Sequence, residues 1–97
     1  MNPGDVYIVK KESFVTRKVD NEMVLVPLVN SVADMTRVLT LNDTGVAILE
    51  AMNGQNTVEE IISQLLETYN VQRERLQEDV ERFIDDAILK GIIKPLS

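Results

Sequence analysis

The pattern of apolar and polar residues divides the chain into a strand-rich first part and a helical second part. Apolar and β-branched residues dominate Ser13–Val19, Met23–Val29 and Thr36–Leu41, which predicts three strands. Two short polar segments, Asp20–Glu22 and Asn30–Met35, separate these runs and predict turns. We therefore expect a three-stranded antiparallel meander whose third strand lies at an edge.

Two features of the first part leave alternatives open. Pro27 has no N–H to donate to a ladder, so it marks either a bulge or an unpaired position in the second strand. Val6–Val9 is either a further short strand or an extended arm, and the pattern does not separate the two. Residues 1–12 are accordingly assigned to an N-terminal arm of a single domain, residues 1–97.

The apolar period changes after Leu41 to that of amphipathic helices. Asn42 is a suitable N-cap for a first helix that runs to about Met52, and Gly54 can adopt the left-handed conformation that ends it. Thr57 and Glu60 have the spacing of a capping box. Each of the two helices that follow has an apolar stripe at i, i+3 or i+4 spacing: Val58, Ile61, Ile62, Leu65, Leu66 and Tyr69, then Leu76, Val80, Phe83, Ile84, Ala87 and Ile88.

Two further positions mark the ends of the second and third helices. Asn70 is expected to stop the second helix and Gly91 to close the third. The apolar tail Ile92–Leu96 should pack back on the core. The order is then βββααα, which predicts an α+β fold of winged-helix-like form, a three-stranded antiparallel sheet followed by three helices.

Composition narrows the possible functions. The chain of 97 residues is 44% hydrophobic, enough for one small domain with a core. It contains no cysteine and no histidine, so disulfides, thiolate chemistry and the commonest general base and metal ligand are excluded. It has no signal-like N-terminus and no apolar run of about 20 residues. We expect a cytoplasmic protein that is not an enzyme and has no cofactor or metal.

Charge is concentrated in the helical part. Residues 1–41 contain five acidic and five basic residues, whereas residues 42–97 contain eleven acidic and five basic ones. Such a helical surface repels phosphate backbones, so a nucleic acid is a poor candidate partner, and no segment indicates a membrane partner.

The ordered motifs "LNDTGVAILEAMNG", "TVEEII" and "EDVERFIDDAILKGII" resemble those of the PqqD-like family. The resemblance extends from about Phe14 to Ile93. The positions that carry it are Leu41, Asn42, Thr44, Gly45, Gly54, Thr57, Val58, Glu60, Ile61, Asp79, Val80, Phe83, Ile84 and Gly91.

This resemblance implies a peptide-binding adaptor, as in coenzyme PQQ synthesis protein D and the recognition elements of ribosomally made peptide pathways. Such domains resemble a peptide chaperone: they bind the leader region of a precursor peptide and present it to a modifying enzyme, often of the radical-SAM type. The leader is implied to add as a strand to the third strand, in a groove beside the third helix.

The residues that would form this site can be named. The edge strand offers Arg37, Val38, Leu39 and Thr40, with Leu39 and Leu41 on one face and Leu41 in the core. Residues of the third helix would form the second wall: Leu76 and Val80 as an apolar floor, Arg73 and Gln77 as polar contacts. The alternative is that the apolar residues are simply core and that the arginines are solvated or paired with neighbouring acids.

Two other functions stay open at this point. A winged-helix nucleic-acid binder would contact the nucleic acid with its third helix. Here residues 71–90 contain six acidic and four basic residues, a net negative charge that disfavours such contact. A structural role, as a homodimer or a docking module, would use the same exposed edge and would compete with the peptide for it.

Overall fold

The computed structural model describes residues 2–96; Met1 and Ser97, which belong to the expected domain, lie outside the described residues. It contains three α-helices, α1 Asp43–Ala51, α2 Val58–Thr68 and α3 Arg73–Leu89. The strands are β1 Val6–Val9, β2 Phe14–Val19, β3 Glu22–Val29, β4 Val32–Ala33, β5 Leu39–Leu41, β6 Asn53–Thr57 and β7 Ile93–Pro95. They form two small antiparallel sheets, so the expected α+β class is confirmed.

The first sheet contains the expected meander. β2 and β3 form a hairpin in continuous register from Phe14↔Pro27 to Val19↔Glu22, around a turn in which Asp20 has a φ of 55°. β5 pairs with the first half of β3, and β4 pairs with its last two residues. Pro27 lies between these two partners of β3, so its missing N–H removes no ladder bond on that edge.

The third strand is shorter than the sequence predicts. Residues Met35–Arg37 form a 3-10 helix, and the strand begins only at Leu39. The cause is local: the Asp34 carboxylate accepts hydrogen bonds from the backbone N–H of Thr36 at 3.0 Å and from its hydroxyl at 2.6 Å. This side chain starts a turn that competes with the extended conformation. The predicted strand assignment is therefore wrong for Thr36, Arg37 and Val38.

A second sheet, which the sequence did not predict, is built from the two ends of the chain. β1 lies at its centre, paired with β6 on one edge and β7 on the other. The open question about Val6–Val9 is thus answered in favour of a strand. Asn53–Thr57, which follows the expected end of the first helix, forms the edge strand β6, and Gly54 has the predicted left-handed conformation with a φ of 80°.

The N-terminal arm also completes the start of α2. The first N–H groups of a helix have no partner within it. Here the N–H groups of Val58 and Glu59 donate to the carbonyls of Asp5 and Pro3 at 2.9 and 3.0 Å. The arm therefore stabilises α2 as well as the second sheet.

The predicted helix signals at Asn42, Thr57 and Gly91 are confirmed, whereas α2 ends at Thr68, two residues before the expected stop at Asn70. The Asn42 side chain accepts from the Gly45 N–H at 2.9 Å, and Thr57 and Glu60 form the reciprocal capping box. Gly91, at a φ of 73°, follows α3, and the next N–H, that of Ile92, donates back to the Ala87 carbonyl at 2.8 Å. This hydrogen bond turns the tail towards β1.

One apolar core lies between the helices and the two sheets. It includes the inward stripes of α2 and α3, the first-sheet residues Leu25, Leu39 and Leu41, and the tail residues Ile92 and Ile93. Leu41 is 3% exposed, which confirms its expected place in the core. Within residues 2–96, no helix combines the length and the apolar composition needed to cross a membrane.

Candidate peptide-binding cleft

The outer edge of β5 is free. Within residues 2–96, β5 pairs only with β3, and the two chain termini pair with each other in the second sheet instead of covering it. Leu39 and Leu41 point into the core and are 8% and 3% exposed, whereas Thr40 between them is exposed. The free edge is thus a short segment of main chain that the buried side chains of Leu39 and Leu41 hold against the core.

A cleft of about 470 Å³ runs between this edge and α3, and we name it the β5 cleft. Its floor is apolar and includes Leu39, Leu41, Ile48 and Phe83. Thr40 and the start of α1 form one side, and a charged stripe of α3 forms the other. The α3 residues that line it are Arg75, Asp79, Arg82, Phe83 and Asp86.

Two of the expected α3 residues lie in the core instead of the cleft. Leu76 and Val80 are 1% and 0% exposed and pack within the main apolar cluster, so they do not form the expected floor. The geometry of the helix explains this, because Leu76, Val80 and Ala87 share the stripe that faces the body of the domain. The stripe next to it, not this one, faces β5.

The expected polar residues of α3 also lie outside the lining of the cleft. Arg73 donates to the Glu59 carboxylate of α2, which ties its guanidinium to the other side of α3. The Gln77 side chain lies 3.4 Å from the Glu81 carboxylate one turn further along the helix. Both residues serve contacts within the helical layer.

The residues before β5 flank the cleft. Arg37 lies in the 3-10 helix, where its guanidinium donates to the Leu89 carbonyl at the end of α3. Val38 is half-buried and joins that helix to β5. Of the eight expected site residues, the structure therefore places Leu39 and Thr40 in the lining of the β5 cleft.

Sequence reasoning missed the charged wall of α3. Arg75, Asp79, Arg82 and Asp86 follow one another at spacings of four, three and four residues, the period of one helix face. That periodicity was visible in the sequence. The sequence alone does not indicate which polar stripe of α3 lies next to the sheet.

A second cleft lies on the other side of the first sheet, and we name it the β2 cleft. Its volume is about 830 Å³, larger than that of the β5 cleft, and its lining includes Ile8, Phe14, Thr16 and Met52. β2, like β5, pairs only with β3 among residues 2–96. Its larger volume would favour the β2 cleft as the peptide-binding site, but no residue of α3 lines it. An experiment therefore has to distinguish binding at the β2 edge from binding at the β5 edge.

Among residues 2–96, Tyr7 and Asp34 have shifted pKa values. Burial, and secondarily the charges of Asp5 and Asp85, raises the pKa of Tyr7 above its ordinary value. Hydrogen bonds from Thr36 lower the pKa of Asp34. Neither residue lines the β5 cleft, so these shifts belong to the second sheet and to the turn before β5.

Comparison with known proteins defines the class. Residues 22–93 match the family model of coenzyme PQQ synthesis protein D (PqqD), and the chain belongs to this family. The family consists of non-catalytic peptide-binding domains, in agreement with the expectation that this chain is not an enzyme. No curated protein sequence matches the chain.

A solved structure shares the fold. The structure described as "TbiB1 in Complex with the TbiA(beta) Leader Peptide" is similar to this chain with a TM-score of 0.68 and 20% sequence identity. The similarity covers 93% of this chain and 98% of that one. The arrangement of two small sheets and three helices is thus shared over nearly the full length of both.

Proposed function

We propose that this chain binds the leader region of a ribosomally made precursor peptide by strand addition to β5 and presents it to a modifying enzyme. The observation that carries the proposal is the free β5 edge beside a cleft in a member of the PqqD family. An extended peptide can complete an open ladder while pockets beside it select side chains. TbiB1, which shares the fold, was solved with such a leader peptide.

The length of β5 shows where the binding energy must come from. Three residues offer only a few main-chain hydrogen bonds, each worth about 0.5–1.5 kcal/mol net. The remaining affinity therefore has to come from peptide side chains that enter the β5 cleft, whose lining includes the charged residues of α3 as well as the apolar floor. The ladder fixes the direction and register of the peptide.

The finer features of this role are proposals of the same kind. They are a winged-helix-like arrangement of the first sheet with α3, a modifying enzyme of the radical-SAM type, a place in coenzyme PQQ synthesis and a cytoplasmic location. The enzyme type and the pathway follow from the family resemblance, whereas the winged-helix-like form rests on the order of strands and helices, and the location on the lack of cysteine.

Mapping by NMR tests the proposal. The probe is a synthetic leader region of a precursor peptide encoded beside the gene of this chain, added to the ¹⁵N-labelled protein. The amide signals of Leu39–Leu41 and of Asp79–Asp86 should move together as the peptide is titrated. Movement confined to Ile8–Thr16 would place the peptide in the β2 cleft and overturn the assignment to β5.

A matched pair of variants sharpens this test. Thr40 and Thr16 are both exposed strand residues, and each lines one of the two clefts. Tyrosine is well tolerated in strands and would partly fill the cleft that it enters. Thr40→Tyr should weaken leader binding, whereas Thr16→Tyr should leave it unchanged. The reverse result would favour the β2 cleft.

Self-association is the competing use of the same edge. A free strand can pair with a second copy of the chain. Light scattering over a range of protein concentrations, with and without the leader peptide, separates the two uses. If the edge binds the peptide, any dimer formed through β5 should dissociate as the peptide is added.

A further inference from the structure

The wall of α3 in the β5 cleft has a fixed order of charge. Arg75, Asp79, Arg82 and Asp86 alternate in sign along one face of the helix, and all four line the cleft. The two middle residues form a loose ion pair, with the Arg82 guanidinium 3.9 Å from the Asp79 carboxylate. Their charges partly cancel.

The two outer residues are different. Within residues 2–96, neither Arg75 nor Asp86 has an opposite charge within 4.0 Å, whereas Arg73 is paired with Glu59 outside the cleft. The cleft thus has an unpaired cation at one end of its wall and an unpaired anion at the other. A ligand that follows this wall experiences a charge gradient.

The contact between Arg37 and Leu89 shows which way the gradient runs. It places the start of β5 beside the C-terminal end of α3, so the two elements run in opposite directions across the cleft. Asp86 is then near the Leu39 end of β5 and Arg75 near the Leu41 end. Glu22, adjacent to the Met23↔Leu41 pair, also lines the Arg75 end but makes no ion pair there.

We propose that the peptide recognised here carries an acidic side chain opposite Arg75 and a basic side chain opposite Asp86; this inference rests on the proposed function. The two positions are eleven residues apart along α3, a rise of about 16 Å. An extended peptide covers that distance in about five residues, and side chains on one face recur every second residue. The two charges are therefore about four or six residues apart. If the peptide runs antiparallel to β5, the acidic residue is the N-terminal one.

Selection from a display library of random peptides, each long enough to span the α3 wall, tests the charge order. Peptides are selected in parallel on the unchanged chain, on Arg75→Glu and on Arg73→Glu. The two variants carry the same charge change on the same helix, but only Arg75 lines the cleft. Circular dichroism melting confirms that each variant is folded, and Arg75→Gln serves as a second variant at that position.

The proposal predicts acidic and basic positions at the stated spacing in the peptides selected on the unchanged chain. Arg75→Glu should replace the acidic preference by a basic one, and Arg73→Glu should retain it. For one selected peptide, Arg75→Glu should weaken binding about tenfold, and exchanging the acidic residue for lysine should restore it.

Two failures can be told apart. If peptides that shift the Leu39–Leu41 amides show the same charge preference on all three proteins, the charge order is overturned while strand addition stands. If no selected peptide shifts those amides, the proposed function fails, and this inference fails with it.

Discussion

The guanidinium of Arg37 donates a hydrogen bond to the main-chain carbonyl of Leu89, 52 residues further along the chain. Arg37 belongs to the 3-10 helix before β5, and Leu89 is the last residue of α3. A cation at a helix C-terminus is favoured by the helix dipole and by the carbonyls left without partners there. This contact holds the two walls of the β5 cleft together at one end.

Arg37→Ala should lower the free energy of unfolding by about 0.5–1 kcal/mol, because an exposed charge at a helix end contributes no more than that. Urea denaturation measures the change. Arg17→Ala, which removes an exposed cation from β2, is the control and should have no measurable effect. Equal stability of the two variants would show that the Arg37 contact does not stabilise the fold.

Leu76→Ala should destabilise the whole domain by about 2–5 kcal/mol, because it removes a buried side chain and leaves a cavity in the core. Leu76→Met keeps most of the volume and should cost less than about 1.5 kcal/mol. Thermal melting compares the two. If Leu76→Ala keeps its stability and loses only peptide binding, Leu76 contributes to the peptide-binding surface and not to the core.

Thr57→Ala should lower stability by about 1 kcal/mol, because it removes the acceptor for the Glu60 N–H at the start of α2. Thr68→Ala, at the exposed end of the same helix, is the matched control. The difference in urea midpoints between the two variants measures the cap. No difference would mean that the Asp5 and Pro3 carbonyls alone hold this helix terminus.

Asp34 connects pH to the turn before β5. Its pKa is lowered by hydrogen bonds from the Thr36 hydroxyl and N–H, so its ionised form is favoured in the folded protein. The stability that it contributes is present above the unfolded pKa, near 3.8, and is lost as pH falls through the lower folded pKa. Thr36→Val removes the hydroxyl and should raise the pKa of Asp34, measured by NMR titration of its carboxyl carbon. An unchanged pKa would show that the hydroxyl does not hold the turn.

Local signals made much of this fold predictable. Asn42, Thr57 and Gly91 end or begin helices through contacts with residues three to five positions away, so their roles can be read from spacing alone. The β2–β3 hairpin likewise follows from two apolar runs and a polar turn. Even the error at Thr36 had a local cause, since Asp34 two residues earlier is typical of a side-chain-capped turn.

Long-range pairing made the rest unpredictable. β1 pairs with strands about 50 and 90 residues away, through registers such as Val6↔Thr57 and Tyr7↔Pro95. No turn motif connects such partners, and the polar β6 has little strand propensity of its own. The lining of the β5 cleft also depends on contacts between residues that are distant in the sequence. Periodicity identified the buried stripe of α3, but tertiary packing determines which stripe faces β5.

Hydrogen exchange at the edge of β5 tests strand addition most directly. Amides of Leu39–Leu41 that point away from β3 exchange freely unless a new strand accepts their hydrogen bonds. With the leader peptide bound, their exchange should slow markedly, while that of the Val15–Val19 edge of β2 stays as it was. Leader binding that leaves the β5 amides unprotected, or that protects the β2 edge instead, would contradict strand addition at this site.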